Sequence, residues 1–245
     1  MAENLTIIPT YNERENIVKI IETIFALPVA FHILVVDDGS PDGTAKLVKD
    51  LQQKYPEQLH LLEREGKLGL GTAYIAGFRW GLQSDYEYFF EIDADFSHNP
   101  SDLVRLYKAC KEEGADLAVG SRYVKGGKLE NWPFDRIFIS YGASLYVRLI
   151  TFMPVKDPTA GFVCYSRKVL KTIDLSKIRF VGYAFQIEMK FAAYQLGFKI
   201  KEVPITFTDR VEGISKMSGG IVNEAIKGVL QMRWRGLFNS YGYNK

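Results

Sequence analysis

Two aspartates one residue apart, Asp93 and Asp95, follow an apolar run in the stretch FFEIDADFSHNP, which covers residues 89–100. Paired carboxylates at such a place can hold Mg²⁺ or Mn²⁺, because both ions prefer hard oxygen ligands. They can also serve as a general acid and base, or cap the helix that follows. Asn99-Pro100 is a better helix start, since an N-cap residue before a proline suits the first helical turn. The metal and the acid–base interpretations are both open at this point.

Two further acidic segments follow apolar runs: PTYNE at residues 9–13 and DDGSPDG at residues 37–43. An aspartate beside a nucleobase can accept hydrogen bonds from its N–H groups, and paired carboxylates can face a diphosphate through a divalent metal. Three acidic turns of this kind favour a nucleotide-sugar with a metal ion. A dinucleotide-binding domain would instead carry glycines after its first strand. Simpler interpretations are that Thr10 and Glu13 form a capping box and that Ser40 caps a helix.

In the first half of the chain, predicted strands alternate regularly with predicted helices, and these elements must position the acidic turns. Apolar runs separated by stretches with helical spacing are typical of βαβ units, in which a mostly parallel sheet is buried on both faces. The predicted strands are LTIIPT (5–10), HILVVDD (32–38), LHLLER (59–64), YEYFFEIDAD (86–95) and ADLAVGSR (115–122). In such sheets ligands bind beyond the carboxyl ends of the strands, which is where the acidic turns lie. The sequence thus predicts an α/β fold with helices flanking a central sheet.

Two segments of the second half have a helical apolar pattern. The 19 residues from Ile137 to Val155 contain one charge, Arg148. Their length would suffice for a membrane span, but an arginine near the centre costs about 2.5–3.5 kcal/mol, so we expect a buried or interfacial helix. The stretch from Gly219 to Phe238 predicts an amphipathic basic helix, which either packs on its own domain or lies on a membrane surface.

Charge and composition narrow the classes of partner. The chain of 245 residues has a net charge of +2, with eight Lys/Arg against four Asp/Glu from residue 199 to the end. The basic residues do not alternate with aromatic ones along a stripe, so we expect no nucleic-acid partner. A basic end instead suits an anionic surface or ligand. Cys110 and Cys164 lack metal-type spacing, and the N-terminus lacks signal-peptide features, so we expect a cytoplasmic protein with reduced thiols.

Seven segments resemble, in order, the motif series of the family-2 glycosyltransferases with the GT-A fold. They are IPTYNERENI, VVDDGSPDGT, REGKLGLGTAY, EIDADFSHNP, GSRYVKGG, DPTAGF and RVEGISKM, between residues 4 and 217. Within that family the series is most similar to the polyprenyl- (dolichyl-) phosphate mannose synthases. The resemblance implies a single GT-A, Rossmann-like catalytic domain over residues 1–217, with a nucleotide-sugar-binding half (1–122) and an acceptor-binding half (123–217). An amphipathic helix and tail would occupy residues 218–245.

The resemblance also implies the residues of the site. Those that would bind the nucleotide-sugar are Pro9, Tyr11, Glu13, Asp38, Lys67, Asp93, Ala94, Asp95, Arg122, Arg210 and Lys216. Asp38 would bind the base, while Asp93 and Asp95 would face the diphosphate and the metal, with Asp95 the firmer ligand. Ser97 stands where some relatives carry a glutamine that completes the metal shell; a hydroxyl is a weaker ligand, and water is the alternative. The expected catalytic residues are Asp95, Arg122, Arg136, Arg210 and Lys216, whose four cations would gather anionic oxygens of the donor and of the acceptor phosphate.

The activity implied by the same resemblance is transfer of mannose from GDP-mannose to a polyprenyl (dolichyl) phosphate, with Mg²⁺ or Mn²⁺. Inversion at the anomeric carbon would give a β-linked sugar phosphate. A phosphate monoester has a second pKa of about 6 and is largely a dianion, so it needs no strong general base. Asp157 in DPTAGF is then expected to orient the site. The alternatives are UDP-glucose or another nucleotide-sugar as donor, a hydroxyl acceptor, or a non-catalytic nucleotide-sugar-binding subunit.

A lipid acceptor would keep such an enzyme at a membrane, because the polyprenyl tail stays in the bilayer. We therefore expect peripheral association with the cytoplasmic face of a membrane. The helix over residues 137–153 and the basic terminal helix are the available surfaces, and no second strongly apolar segment follows residue 155. The chain resembles a short form of the family, either peripheral by itself or docked on a small membrane partner subunit.

Overall fold

The computed structural model describes residues 3–182, 184–209, 219–238 and 241–243, and in the last helix it describes side chains from residue 227 onward. The strands are β1 (Asn4–Thr10), β2 (His32–Asp37), β3 (Leu59–Glu63), β4 (Tyr88–Glu91), β5 (Leu117–Ser121), β6 (Lys128–Glu130), β7 (Val163–Ser166), β8 (Ile200–Pro204) and β9 (Thr206–Thr208). The helices are α1 (Ile17–Phe25), α2 (Thr44–Gln52), α3 (Leu70–Gly81), α4 (Asp102–Lys111), α5 (Phe134–Thr151), α6 (Arg167–Thr172), α7 (Ala184–Gln195) and α8 (Gly219–Phe238).

The central sheet has seven strands in the order β3-β2-β1-β4-β7-β5-β8. β7 runs antiparallel to both of its neighbours, β4 and β5, whereas the other neighbouring pairs are parallel. The predicted mostly parallel sheet is therefore confirmed. β6 and β9 form a separate two-stranded sheet. Because β1 lies between β2 and β4, the turns after these three strands meet at one edge of the sheet.

Helices cover both faces of this sheet, since successive strand residues point to opposite sides. Ile7 of β1 lies in a core with α3, α5, α7 and α8, and Ile8 lies in a second core with α1, α2 and α4. Both isoleucines are fully buried. The glycine-rich segment EGKLGLGTAYIAG serves this packing, because a Cβ on Gly77 of α3 would lie only 2.7 Å from the Ile7 side chain. The glycine therefore allows α3 to lie close against β1.

β4 is shorter than the apolar run 86–95 that predicted it. The strand ends at Glu91, so Asp93 and Asp95 belong to the loop that follows it. The apolar run extends past the strand because residues 92 and 94 are buried although they are outside it. The paired aspartates thus lie on a loop whose apolar residues are anchored in the core.

Two predicted helix starts are wrong. α1 begins at Ile17 and α2 at Thr44, several residues after the capping residues Thr10 and Ser40 that the sequence indicated. The hydroxyls of Thr10 and Ser40 both donate to Asp37 Oδ1, at 2.8 and 2.6 Å. They cap no helix because the Asp37 carboxylate, three residues before Ser40 and in the turn next to Thr10, binds both hydroxyls.

The start of α4 lies close to the predicted Asn99-Pro100 position. Asn99 Oδ1 accepts the N–H of Ser101 at 3.0 Å, and the Asn99 carbonyl accepts the N–H of Asp102, the first residue of the helix. The asparagine thus satisfies backbone donors just ahead of the first turn, as an N-terminal cap does.

α5 and α8 lie next to each other in the second half of the fold. Among the described helices, none is long and apolar enough to cross a membrane. α8 packs inward through Val229 and Met232, which are buried. Arg235 of α8 points toward α7: its Nη2 donates to Lys177 O at 2.9 Å and lies 3.1 Å from Glu188 Oε1. This contact ties α8 to α7.

Candidate active site

Asp37 organises the turns after β1 and β2. Its carboxylate accepts the Thr10 hydroxyl at 2.8 Å, the Ser40 N–H at 2.9 Å and the Ser40 hydroxyl at 2.6 Å. Ser40 Oγ in turn accepts the N–H of Asn12 at 3.0 Å. Asn12 has a φ of 60°, a left-handed conformation that asparagine tolerates better than most residues. These hydrogen bonds link the turn after β1 to the turn after β2 and fix their relative position.

Asp38, the residue expected to bind the base, is paired with Arg64. Arg64 Nε donates to Asp38 Oδ1 at 2.7 Å, and the Leu68 N–H donates to Oδ2 at 3.3 Å. The two side chains are only 11% and 8% exposed. Arg64 Nη1 also donates to Thr72 Oγ1 of α3 at 2.9 Å. Arg64 was not predicted as a site residue, although it opens the motif REGKLGLGTAY.

Tyr11 and Lys67 approach each other beside this pair. Lys67 Nζ lies 5.1 Å from the centroid of the Tyr11 ring, within the range of a cation–π contact. Glu13 follows on the same turn, and its N–H donates to Thr44 Oγ1 at 3.1 Å. Pro9 is a half-buried residue near the end of β1. The predicted nucleoside-binding residues of the first turn therefore lie at the carboxyl end of β1, next to the turn that carries Asp38.

The loop after β4 has a strained backbone at the paired aspartates. Phe96 has a φ of 57°, a left-handed conformation that is unusual for a bulky residue. On either side of it, Asp95 Oδ1 accepts the N–H of Ser97 at 3.0 Å. Ala94, Asp95 and Ser97 are buried, and Asp93 is half-buried. The turn thus brings Asp95 and Ser97 together on a loop whose backbone is fixed by the surrounding packing.

His98 anchors the same loop. Its ring is 4% exposed, stacks on Phe162 at 5.0 Å and meets Phe207 edge-on at 5.0 Å. Burial lowers the pKa of His98 to about 4; the charge of Asp95 opposes this shift and that of Arg122 adds to it. The imidazole is therefore neutral at physiological pH and supports the loop by packing.

Arg122 and Asp157 form a buried ion pair with two parallel hydrogen bonds. Arg122 Nε and Nη2 donate to Asp157 Oδ2 and Oδ1, each at 2.7 Å, and the Arg122 N–H donates to Oδ2 at 3.0 Å. Burial by itself would raise the pKa of Asp157, but the charge and hydrogen bonds of Arg122 outweigh it and hold that pKa below its usual value. The carboxylate is thus ionised and committed to Arg122, in line with an orienting role.

Aromatic rings surround the Arg122 guanidinium. Its Cζ lies 5.2 Å from the ring centroid of Tyr123, 5.8 Å from that of Trp132 and 5.5 Å from that of Phe207. The Arg136 guanidinium lies 4.0 Å from the same Trp132 ring. Two arginines predicted to bind phosphate oxygens therefore share one indole ring. Phe207 was missed because its contact with Arg122 comes from a distant part of the chain, whereas Trp132 lies only four residues before Arg136 and was not singled out.

Arg136 is the second predicted catalytic cation that the described residues include. Arg136, in the first turn of α5, donates from Nη1 to Asp209 Oδ2 at 2.7 Å, and both side chains are about one-third exposed. Asp209 immediately precedes Arg210 in the chain. Arg210 and Lys216 lie outside the described residues, so their place in the site stays a prediction.

Two buried charged residues lie beneath the loop after β4. Glu91 ends β4, Lys190 belongs to α7, and both are fully buried. Burial raises the pKa of Glu91 to about 8 and lowers that of Lys190 to about 8, while the charge of each residue opposes the shift of the other. Lys190 was not predicted from sequence, although a lysine inside a helical stretch rich in apolar residues is itself a signal.

Solved structures share this arrangement of sheet and helices. Glucosyl-3-phosphoglycerate synthase from Mycobacterium tuberculosis, in complex with Mn²⁺, UDP and glucosyl-3-phosphoglycerate, matches with a TM-score of 0.68 at 18% identity, over 94% of this chain and 80% of that one. A mannosyltransferase from Pyrobaculum calidifontis, in complex with GDP-Man and Mn²⁺, matches with a TM-score of 0.57 at 14% identity, over 96% and 74%. At these identities the likeness establishes the fold alone, which is the predicted GT-A arrangement.

The family is established by sequence comparison. The chain belongs to glycosyl transferase family 2, whose model matches residues 6–174. It is 49% identical over 232 residues to the polyprenol monophosphomannose synthase of Mycolicibacterium smegmatis, covering 95% of this chain and 87% of that protein. It is 48% identical over 237 residues to the undecaprenyl-phosphate mannosyltransferase of Micrococcus luteus, covering 95% and 96%. The predicted family is confirmed.

Proposed function

We propose that this protein transfers mannose from GDP-mannose to a polyprenyl phosphate, with inversion to a β-linked polyprenyl-phosphate mannose. The strongest support is near 50% identity along 95% of the chain with two proteins named for this type of transfer. The same comparisons favour this activity over a UDP-glucose donor and over a non-catalytic nucleotide-sugar-binding subunit.

The donor half of the site, within residues 1–122, is proposed to bind the nucleoside and the diphosphate. Asp38 offers carboxylate oxygens to base N–H groups, and Arg64 holds that carboxylate in place. Tyr11 and Lys67 lie beside it. The loop after β4 would then face the diphosphate, because ligands of parallel sheets lie beyond the carboxyl ends of the strands.

The residues of that loop fit a divalent metal, Mg²⁺ or Mn²⁺. Within the described ranges no three His, Cys, Asp or Glu side chains gather as a metal cage. Such a cage is not needed, because Mg²⁺ is usually bound by one or two carboxylates together with waters and substrate phosphates. Asp93 and Asp95 would supply the carboxylates, with Ser97 or a water completing the shell. When bound, the ion neutralises charge on the departing nucleoside diphosphate.

The acceptor half, within residues 123–217, is proposed to bind the lipid phosphate together with Arg122. Arg136 is exposed enough to reach a ligand, and Arg210 and Lys216 would add charge. The acceptor phosphate is largely a dianion at neutral pH, so attack needs no side-chain base. The geometry supports this view, since the carboxylate beside Arg122 is already engaged by four hydrogen bonds, from Arg122 and Thr159.

We also propose that α5 and α8 form a membrane-facing surface. Its apolar side chains, each at least 43% exposed, are Phe134, Phe138, Ile139, Tyr141, Leu145, Leu149, Phe152, Leu230, Trp234, Leu237 and Phe238. Apolar patches of this extent on a protein surface mark interaction with a membrane or with another protein. Peripheral association would bring the site to the headgroup of its lipid acceptor, and a small membrane partner subunit would bind the same surface.

The activity is tested by incubating the purified protein with radiolabelled GDP-mannose or UDP-glucose, a polyprenyl phosphate and Mg²⁺ or Mn²⁺, followed by lipid extraction. We expect label in the lipid phase only from GDP-mannose and only when the polyprenyl phosphate is present. Label from UDP-glucose alone would overturn the donor assignment. Retained nucleotide binding without transfer from any donor would favour a non-catalytic subunit.

A further inference from the structure

The turn from Asp157 to Ala160 is held at both ends by buried cations. The Ala160 N–H donates to Asp157 O at 3.3 Å, which closes a tight turn with Pro158 at its second position. At the first end, Arg122 binds the Asp157 carboxylate. At the other end, Lys190 Nζ donates to the Ala160 carbonyl at 2.6 Å. The turn is thus fixed by Arg122, which immediately follows β5, and by Lys190 of α7.

All three donors of the Lys190 ammonium group have partners. Besides Ala160 O, Nζ donates to Gln186 O at 2.9 Å and to Gln186 Oε1 at 3.3 Å. Gln186 also lies beside the residue that follows the turn, since its Nε2 is 3.7 Å from where a Cβ on Gly161 would be. Burying an ammonium group costs free energy that an apolar side chain of similar length would avoid. A side chain that served only to fill space at this position would not need the charge.

We propose that Lys190 is a positioning residue for the acceptor side of the site. By holding Ala160, it keeps the turn in the place where Asp157 aligns the Arg122 guanidinium toward the acceptor phosphate. This inference rests on the proposed function, which assigns Arg122 to that phosphate. Lys190 itself is fully buried, so it would act through the turn rather than directly on a substrate.

Lys190 has a second effect that must be separated from the first. Its charge acts on the buried Glu91, so removing it leaves an ionisable carboxyl group in the core without its charged partner, which destabilises a protein. Lys190→Met removes both the hydrogen bond to Ala160 and the charge. Lys190→Met combined with Glu91→Gln also removes the ionisable carboxyl group, without restoring the hydrogen bond. Glu91→Gln alone keeps the hydrogen bond, and Lys171→Met on exposed α6 is the surface control.

We expect Lys190→Met to raise the KM for polyprenyl phosphate, by up to about a hundredfold, because small displacements of positioning groups can cost that much. The affinity for GDP-mannose should stay unchanged. The double variant should regain thermal stability but not the KM of the wild type. Glu91→Gln and Lys171→Met should retain the KM of the wild type.

The proposal is overturned if the double variant recovers the wild-type KM, because Lys190 would then act only as a charge partner. It is also overturned if donor affinity and acceptor KM change together, since that would mean that the whole fold is destabilised.

Hydrogen–deuterium exchange at the Arg122 N–H, which donates to Asp157 Oδ2, measures how firmly the turn is held and needs no substrate. Faster exchange there in both variants that lack Lys190 is expected even if the wild type proves to use another donor or acceptor. Unchanged exchange would also refute the proposal.

Discussion

The carboxylate of Asp38 lies against the guanidinium of Arg64, with Asp38 Oδ1 2.7 Å from Arg64 Nε and 2.5 Å from Arg64 Nη2. Arg64 is itself fixed by Thr72 at the start of α3. The residue expected to bind the base is therefore positioned by a neighbouring loop and helix. A pre-positioned carboxylate loses less conformational entropy on binding than a mobile one.

Replacing Arg64 by methionine should weaken GDP-mannose binding by about tenfold to a hundredfold, because a hydrogen bond to a charged group contributes about 1.5–3 kcal/mol. The Asp38 carboxylate would lose its orientation. Isothermal titration with GDP measures the effect in the absence of an acceptor. Arg79→Met, on the exposed face of α3, is the matched control. An unchanged affinity for GDP in Arg64→Met would contradict the role of this pair.

Asp157→Asn should lower kcat/KM for the polyprenyl phosphate by about tenfold to a hundredfold through misalignment of Arg122. The pH–rate profile should keep its limb at about pH 6, because that limb belongs to the acceptor phosphate. Steady-state kinetics between pH 5 and 8 would measure both. Disappearance of that limb in the variant would identify Asp157 as a general base instead.

The same ion pair should make stability depend on pH. The folded-state pKa of Asp157 is depressed, so its contribution is fully present above the unfolded-state pKa of about 3.9 and is lost as the pH falls below it. At neutral pH, Asp157→Asn should cost about 3–5 kcal/mol, the usual loss when a buried pair is broken. Urea denaturation of both proteins at neutral pH and near pH 3 should show this difference shrinking in acid. A difference that stays constant would argue against an ionised Asp157.

Asp95→Asn should lower metal-dependent transfer at least about a hundredfold, because metal stabilisation of the leaving group contributes several kcal/mol. It should also weaken Mn²⁺ binding measured by electron paramagnetic resonance in the presence of GDP, a readout that does not depend on turnover. Asp50→Asn, on exposed α2, serves as the control. Full activity and unaltered Mn²⁺ affinity in Asp95→Asn would refute the metal assignment.

Trp234→Ser combined with Phe238→Ser should reduce binding to anionic liposomes at least about tenfold, since burying one large apolar side chain contributes about 1.5–3 kcal/mol. Flotation in a density gradient measures the bound fraction. Gln231→Ser, on the same helix, is the control. Arg235 is unsuitable for a charge test because it pairs with Glu188. Equal flotation of all three proteins would remove α8 from the membrane-facing surface.

Local sequence patterns predicted the first five strands and their order along the chain. Apolar runs of strand length, separated by helical spacing, are direct consequences of burial on both faces of a sheet. The helix starts at Thr10 and Ser40 were predicted wrongly for a physical reason. Both hydroxyls donate to the Asp37 carboxylate, which lies on another turn for Thr10 and three residues earlier for Ser40. A capping pattern does not show which acceptor a hydroxyl will bind.

The sequence by itself determined the fold class, the acidic turns at the ends of the strands and the family to which the chain belongs. Only the tertiary structure decided which charges meet. Arg64 reaches Asp38 across 26 residues, Arg122 reaches Asp157 across 35, and Lys190 reaches Ala160 across 30. Such pairs depend on which strands and helices pack side by side and on which side chains are desolvated together. A local pattern of residue types does not indicate how close two segments that far apart in sequence lie in space. These partners can therefore be identified only from the three-dimensional arrangement of the sheet and its helices.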